Sequence, residues 1–146
     1  MVLAQRLFTG KKVVETDYFI TDWTVNASDV ITLPLMSGGV FNFTVDWGNG
    51  SPVDTVTAYN DVNATHTYIS GGIYDIKILG ECSKFRFNNL GSKLNITDIK
   101  QFGAIEFESL NFYGCSNITT VTSVDTPIFN ANIDLSFLFR ECTGLI

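Results

Sequence analysis

Across residues 40–47 apolar and polar side chains alternate. Phe41, Phe43, Val45 and Trp47 fall on one face, and Val40, Asn42, Thr44 and Asp46 on the other. A period of two is that of a strand with one face buried. Shorter segments carry the same signature. Residues 18–25 are rich in β-branched and aromatic side chains, and residues 30–35 form a second such run in which Pro34 marks an edge. Residues 55–58, 66–68 and 73–79 complete the set, the last with Ile76 and Ile78 flanking Lys77. Between them stand residues 26–29, Ser37-Gly38-Gly39, Gly48-Asn49-Gly50 and Ser70-Gly71-Gly72, all turn-forming by composition. Short strands at regular spacing, separated by Gly turns, predict a β-sandwich. Residues 1–17 show no clear period and read as an arm or a first edge strand.

From about residue 82 the pattern changes. Phe87-Asn88-Asn89-Leu90-Gly91, Asn111-Phe112-Tyr113-Gly114-Cys115 and Leu138-Phe139-Arg140-Glu141-Cys142 echo one another at a period of 24–27 residues. In this alignment Gly91 takes the position of Cys115 and Cys142. Apolar residues recur between the copies: Ile96, Ile99, Ile105, Phe107 and Leu110, then Val121, Val124, Ile128, Ile133 and Leu135. Such a period with a Leu/Ile signature predicts a leucine-rich-repeat-like solenoid. The expected organisation is an arm over residues 1–17, a sandwich over 18–81 and a short repeat segment over 82–146. A stack of this kind buries its core only when its end is covered. The end near Leu145 is therefore expected to meet another copy or another protein.

Composition narrows the function. The chain has 146 residues, 45% of them hydrophobic and twelve of them Phe, enough for a sizeable core. Only 16% are charged and the net charge is −6. Its nine Lys and Arg residues include no basic run longer than Lys11-Lys12, which disfavours nucleic acid and anionic membrane surfaces. No apolar run reaches the length of a membrane-spanning helix, so membrane insertion is not expected. Residues 1–15 lack the order of a secretory leader, because Gln5-Arg6 interrupts the apolar start and Lys11-Lys12 follow it. Three cysteines, at 82, 115 and 142, are too few and too widely spaced for a disulfide framework or a zinc site.

Two resemblances attach to these motifs. Asp46-Trp47-Gly48-Asn49-Gly50-Ser51, His66-Thr67-Tyr68 and Gly72-Ile73-Tyr74 resemble the PKD-type immunoglobulin-like domain, which carries a Trp-Gly-Asp-Gly-like turn and a later His-Thr-Tyr. The chain has Asn49 where that family usually has Asp. Asn serves the turn equally well, but a cation held through that position loses its ligand. Residues 87–146, with Phe-x-x-Cys-x-x-Leu/Ile cores at Phe112 and Phe139, resemble the repeats of BspA-like bacterial surface proteins. Together these resemblances imply an immunoglobulin-like sandwich followed by leucine-rich-repeat-like coils, used for adhesion or surface display on bacteria or phages.

Candidate chemistry is sparse. His66 is the one histidine, and no motif ties a Ser or Cys nucleophile to it, so a structural role is expected. Asp46, Asp54, Asp61 and Asp75 are too scattered for a calcium loop, and Asp46 is placed to cap the turn. Cys115 and Cys142, one repeat apart, are expected as small buried thiols. Six Asn-x-Ser/Thr triplets, at Asn26, Asn42, Asn49, Asn63, Asn95 and Asn117, are what an Asn- and Thr-rich chain produces by chance. No catalytic, cofactor-binding or metal-binding residue is assigned. Phe112, Tyr113, Phe137, Phe139 and Leu145 are the expected partner-binding residues, insofar as one edge of their stripe lies open. The expectation is a non-enzymatic structural, decoration or adhesion module. Its first reading is an exposed phage virion component docked on other virion proteins, since virion proteins leave by lysis without an export signal. The alternatives are a bacterial cell-surface adhesin fragment and a carbohydrate-binding module using Trp23, Tyr59 and Tyr113 as a sugar platform.

Overall fold

The computed structural model describes residues 13–146. The proposed arm therefore lies mostly outside the described residues; of its length, only a 3-10 turn at Glu15–Asp17 and its flanks are seen. Ten strands follow: β1 (Phe19–Val25), β2 (Val30–Thr32), β3 (Phe41–Asp46), β4 (Asp54–Val56), β5 (Thr65–Thr67), β6 (Gly72–Cys82), β7 (Lys84–Arg86), β8 (Ile96–Gln101), β9 (Glu106–Asn111) and β10 (Ile128–Asp134). The chain is mostly β, in several packed sheets with a sandwich-like core.

A five-stranded sheet runs in the order β4-β3-β6-β1-β8, and β2 pairs with β5 in a separate ribbon. The alternation across β3 is realised as expected, with Phe41, Phe43 and Val45 buried and the intervening residues half-exposed. In β1, Phe19, Thr21, Trp23 and Val25 point inward. Thr21 is tolerated there because its hydroxyl accepts the Trp23 indole N–H at 2.7 Å. Pro34 ends the second run early, so β2 stops at Thr32 and Leu35 makes an isolated bridge to Phe85. β6 is longer than its alternation predicts, because it continues through Gly80. That residue has φ +123°, and a Cβ there would lie 2.4 Å from the Asn42 carbonyl oxygen, so only glycine lets β6 pass this close to β3.

The residues after β6 build a second pattern. β7, β9 and β10 are parallel neighbours, in the order β10-β9-β7. On the other side of the same turns Asp98 bridges Thr120 in parallel, the Thr119 N–H donates to the Thr97 carbonyl and the Ile146 N–H to that of Thr119. Successive Phe-led turns superpose chemically. The N–H groups of Leu90, Cys115 and Cys142 donate to the carbonyls of Phe87, Phe112 and Phe139 respectively. The residue structurally equivalent to Cys115 is therefore Leu90, one residue before the expected Gly91. Gly91 draws the eye as a small residue, but hydrogen bonding rather than size sets the register.

The rings of Phe112 and Phe139 stack at 5.6 Å and 12°, and Phe87 lies 6.2 Å from Phe112. Asn111 is fully buried and fully engaged. Its side-chain oxygen accepts the Asn88 N–H at 3.0 Å, and its amide donates to Asn88 Oδ1 at 2.8 Å and to the Ser136 carbonyl at 3.4 Å.

The two patterns share a core. Phe19 of β1 meets Phe85 edge-on at 5.1 Å and Phe107 at 5.5 Å. Each such side chain, fully buried, contributes about 1.5–3 kcal/mol. β8 also pairs antiparallel with β1, which carries the five-stranded sheet across the expected division at 81/82.

Candidate interaction surface

The motif that first marks the sequence is a closed structural knot. The Gly48 N–H donates to Asp46 Oδ1 at 2.9 Å, so Asp46 caps the turn as expected. The Trp47 indole N–H reaches Asp54 Oδ2 at 2.8 Å, and the Tyr68 hydroxyl donates to the Trp47 carbonyl at 2.7 Å. His66 stacks on Trp47 at 5.0 Å and 14°, with Nε2 2.9 Å from the Asn49 amide nitrogen. Since that nitrogen is a donor, Nε2 is the acceptor and the imidazole is neutral. Burial holds the His66 pKa below its usual value against the opposing pull of Asp54. The three cysteines are free and buried, and burial pushes all three thiols up, away from the reactive thiolate. Among the described residues no group of three or more His, Cys, Asp or Glu side chains is arranged to hold a metal ion.

The five residues expected to bind a partner divide sharply. Phe112 is fully buried in the ring stack and offers no surface. Phe139 and Leu145 are half-buried against the same core. Tyr113 and Phe137 face outward as a tilted pair, 5.6 Å apart. The sugar platform is not assembled: Trp23 is fully buried, whereas Tyr59 is half-exposed on a loop.

One residue that the sequence did not single out completes the outward pair. The Arg140 guanidinium lies 5.3 Å from the Tyr113 ring centre and 5.0 Å from that of Phe137. Such a cation over ring faces contributes about 0.5–1 kcal/mol at an exposed site. Among the described residues its one carboxylate contact is loose, Nε to Glu141 Oε1 at 3.9 Å. By contrast Arg86 holds Asp134 at 2.6 Å and Lys77 holds Glu15 at 2.8 Å. Backbone geometry supports the placement. Phe137 and Glu141 both sit at positive φ, +63° and +58°, a region that bulky side chains rarely adopt.

Beside this ledge runs β10, the outermost strand of its sheet among the described residues. Ile128 and Phe129 on it are 47% and 38% exposed, and Phe137 is 49% exposed. The opposite margin of the sheet is covered, since the Arg86 N–H donates to the Pro34 carbonyl. An edge strand with exposed apolar side chains is a template for another chain. No protein-family model matches the chain. Neither a curated protein nor a solved structure is significantly similar to it. Among the described residues, no helix is long and apolar enough to cross a membrane.

Proposed function

We propose that the protein is a non-catalytic surface module, a structural, decoration or adhesion component that docks on other protein subunits. In this reading it is an immunoglobulin-like, PKD-type sandwich continued by a short leucine-rich-repeat-like stack, displayed on a phage virion. The observation that carries the proposal is the β10 edge with its ledge of Arg140, Phe137 and Tyr113. Arg, Tyr and apolar anchors of this kind concentrate binding energy at protein interfaces. The buried thiols and the locally satisfied His66 fit a scaffold better than a reaction centre.

A bacterial cell-surface adhesin is the second reading. It is favoured by the parallel register of β7, β9 and β10, a pattern that further coils extend without limit. Quantitative mass spectrometry of purified particles and of cell-surface fractions from the source separates the two. Fixed stoichiometry in particles supports the virion component. Enrichment only in the cell-surface fraction replaces it with the adhesin, and absence from both overturns the proposal.

A further inference from the structure

On the outer face of the five-stranded sheet, Asp22 of β1 stands directly opposite Asp75 of β6 and, on its other side, opposite Asp98 of β8. Directly paired residues of adjacent antiparallel strands carry their Cβ atoms about 4.5–5.5 Å apart, and like charges there are destabilising. Among the described residues one cation is ion-paired with both Asp22 and Asp75. Lys100 Nζ lies 3.1 and 3.2 Å from the two Asp75 carboxylate oxygens and 3.5 Å from Asp22 Oδ1. The Asp22 side chain is 19% exposed against 40% for Asp75, and its Oδ1 is buried without a hydrogen-bond partner among the described residues. The lysine is thus committed to Asp75, while the more enclosed carboxylate is left under-compensated.

We propose that Asp22 and Asp75 share one proton at mildly acidic pH, forming a pH-sensitive clasp on the seam where β1 joins β6 to β8. The proton comes from solvent onto the Asp22 carboxyl, which then donates to the Asp75 carboxylate. Lys100 stays on Asp75. No bond other than O–H is made or broken.

The surroundings support this assignment of roles. Of the other charged groups on this face, Lys77 is tied to Glu15 at 2.8 Å and stands opposite Asp46 on β3. Asp98 accepts from the Thr122 hydroxyl and backbone N–H at 2.6 and 3.0 Å, so its charge is already solvated by donors. Burial first, then hydrogen bonding with Asp75, raises the Asp22 pKa to about 6, with Lys100 opposing. Hydrogen bonding with Asp22 first, then Lys100 and Lys77, holds Asp75 below the usual range against its burial. A carboxyl whose folded value lies above its unfolded value of 3.8 keeps its proton longer in the folded chain. Its stabilising contribution is complete below the unfolded value and is lost as pH rises through about 6. The seam between β1 and β6 is accordingly tighter at mildly acidic pH than at neutral pH.

The test is a carbon-13 NMR titration of the aspartate carboxyls in the full chain from about pH 4 to about pH 8. The expected result is an Asp22 midpoint near 6, with Asp75 showing an inflection at the same pH. In Asp22→Asn the Asp75 inflection near 6 disappears, and the melting-temperature advantage of wild type over the variant at mildly acidic pH shrinks as pH rises across about pH 5–7. A wild-type Asp22 midpoint below about 4.5, or parallel melting profiles for wild type and variant, overturns the proposal. Should Asp22→Asn not fold, Asp75→Asn decides. Removal of the neighbouring charge frees Lys100 for Asp22, whose midpoint then drops by about one unit or more. A midpoint that does not move in Asp75→Asn overturns the sharing.

Discussion

The Tyr68 hydroxyl donates to the Trp47 carbonyl at 2.7 Å, with both side chains fully buried. The bond ties the residue after β5 to the end of β3, so the tight turn and the His-Thr-Tyr segment are two halves of one fastening. Tyr68→Phe keeps the ring and removes the donor. The Trp47 carbonyl is left buried and unpaired, which costs about 1–3 kcal/mol. Urea denaturation should show a lower midpoint with an unchanged slope.

His66 is held neutral by the Asn49 amide. Its folded pKa lies below the 6.5 of the free imidazole, so the unfolded chain takes up this proton first. The contribution is present above the unfolded value and is lost as pH falls through the folded one. Stability attributable to His66 should decline on acidification from pH 7, and His66→Gln should flatten that limb of the curve. Asn49→Asp places a carboxylate on the same ring nitrogen and should raise the His66 midpoint, read directly by proton NMR of the imidazole.

Phe112 and Phe137 are aromatic residues of one repeat stripe with opposite roles. Phe112→Ala empties a fully buried site in the ring stack and should cost about 3–5 kcal/mol. Phe137→Ala removes a half-exposed ring from beneath Arg140 and should cost at most about 1 kcal/mol. Thermal denaturation of the two variants checks the contrast. If the ledge binds a partner, Phe137→Ala should weaken that binding while leaving the fold intact.

All three thiols are buried, with Cys142 Sγ donating to the Phe112 carbonyl at 3.0 Å. Labelling with an aromatic disulfide reagent should be slow in buffer and complete in denaturant. The rate should follow the unfolding equilibrium, because the reaction needs an exposed thiolate.

How much of this could be read from the sequence depends on the distance between partners. The inward set Phe41, Phe43, Val45 and Trp47 was legible because a period of two needs only neighbouring residues. Asp46 capping Gly48 was legible for the same reason. The pairing of β1 with β8 was not, because it joins residues far apart in the chain and leaves no local mark. Arg140 was passed over since a lone arginine carries no signal until two rings are brought beneath it. The facing of Asp22 and Asp75 was hidden similarly, although both lie on strands that the alternation had already located.

β8 is held on both margins, antiparallel to β1 on one and in parallel contact with the Thr120 segment on the other. A load applied to the last turns would therefore pass through β8 into the middle of the five-stranded sheet. Its hydrogen bonds to β1 lie across the strand direction, so a pull along the strands would shear many of them together instead of peeling them one by one. The turns that follow β8 are thus mechanically continuous with the sheet they rest on.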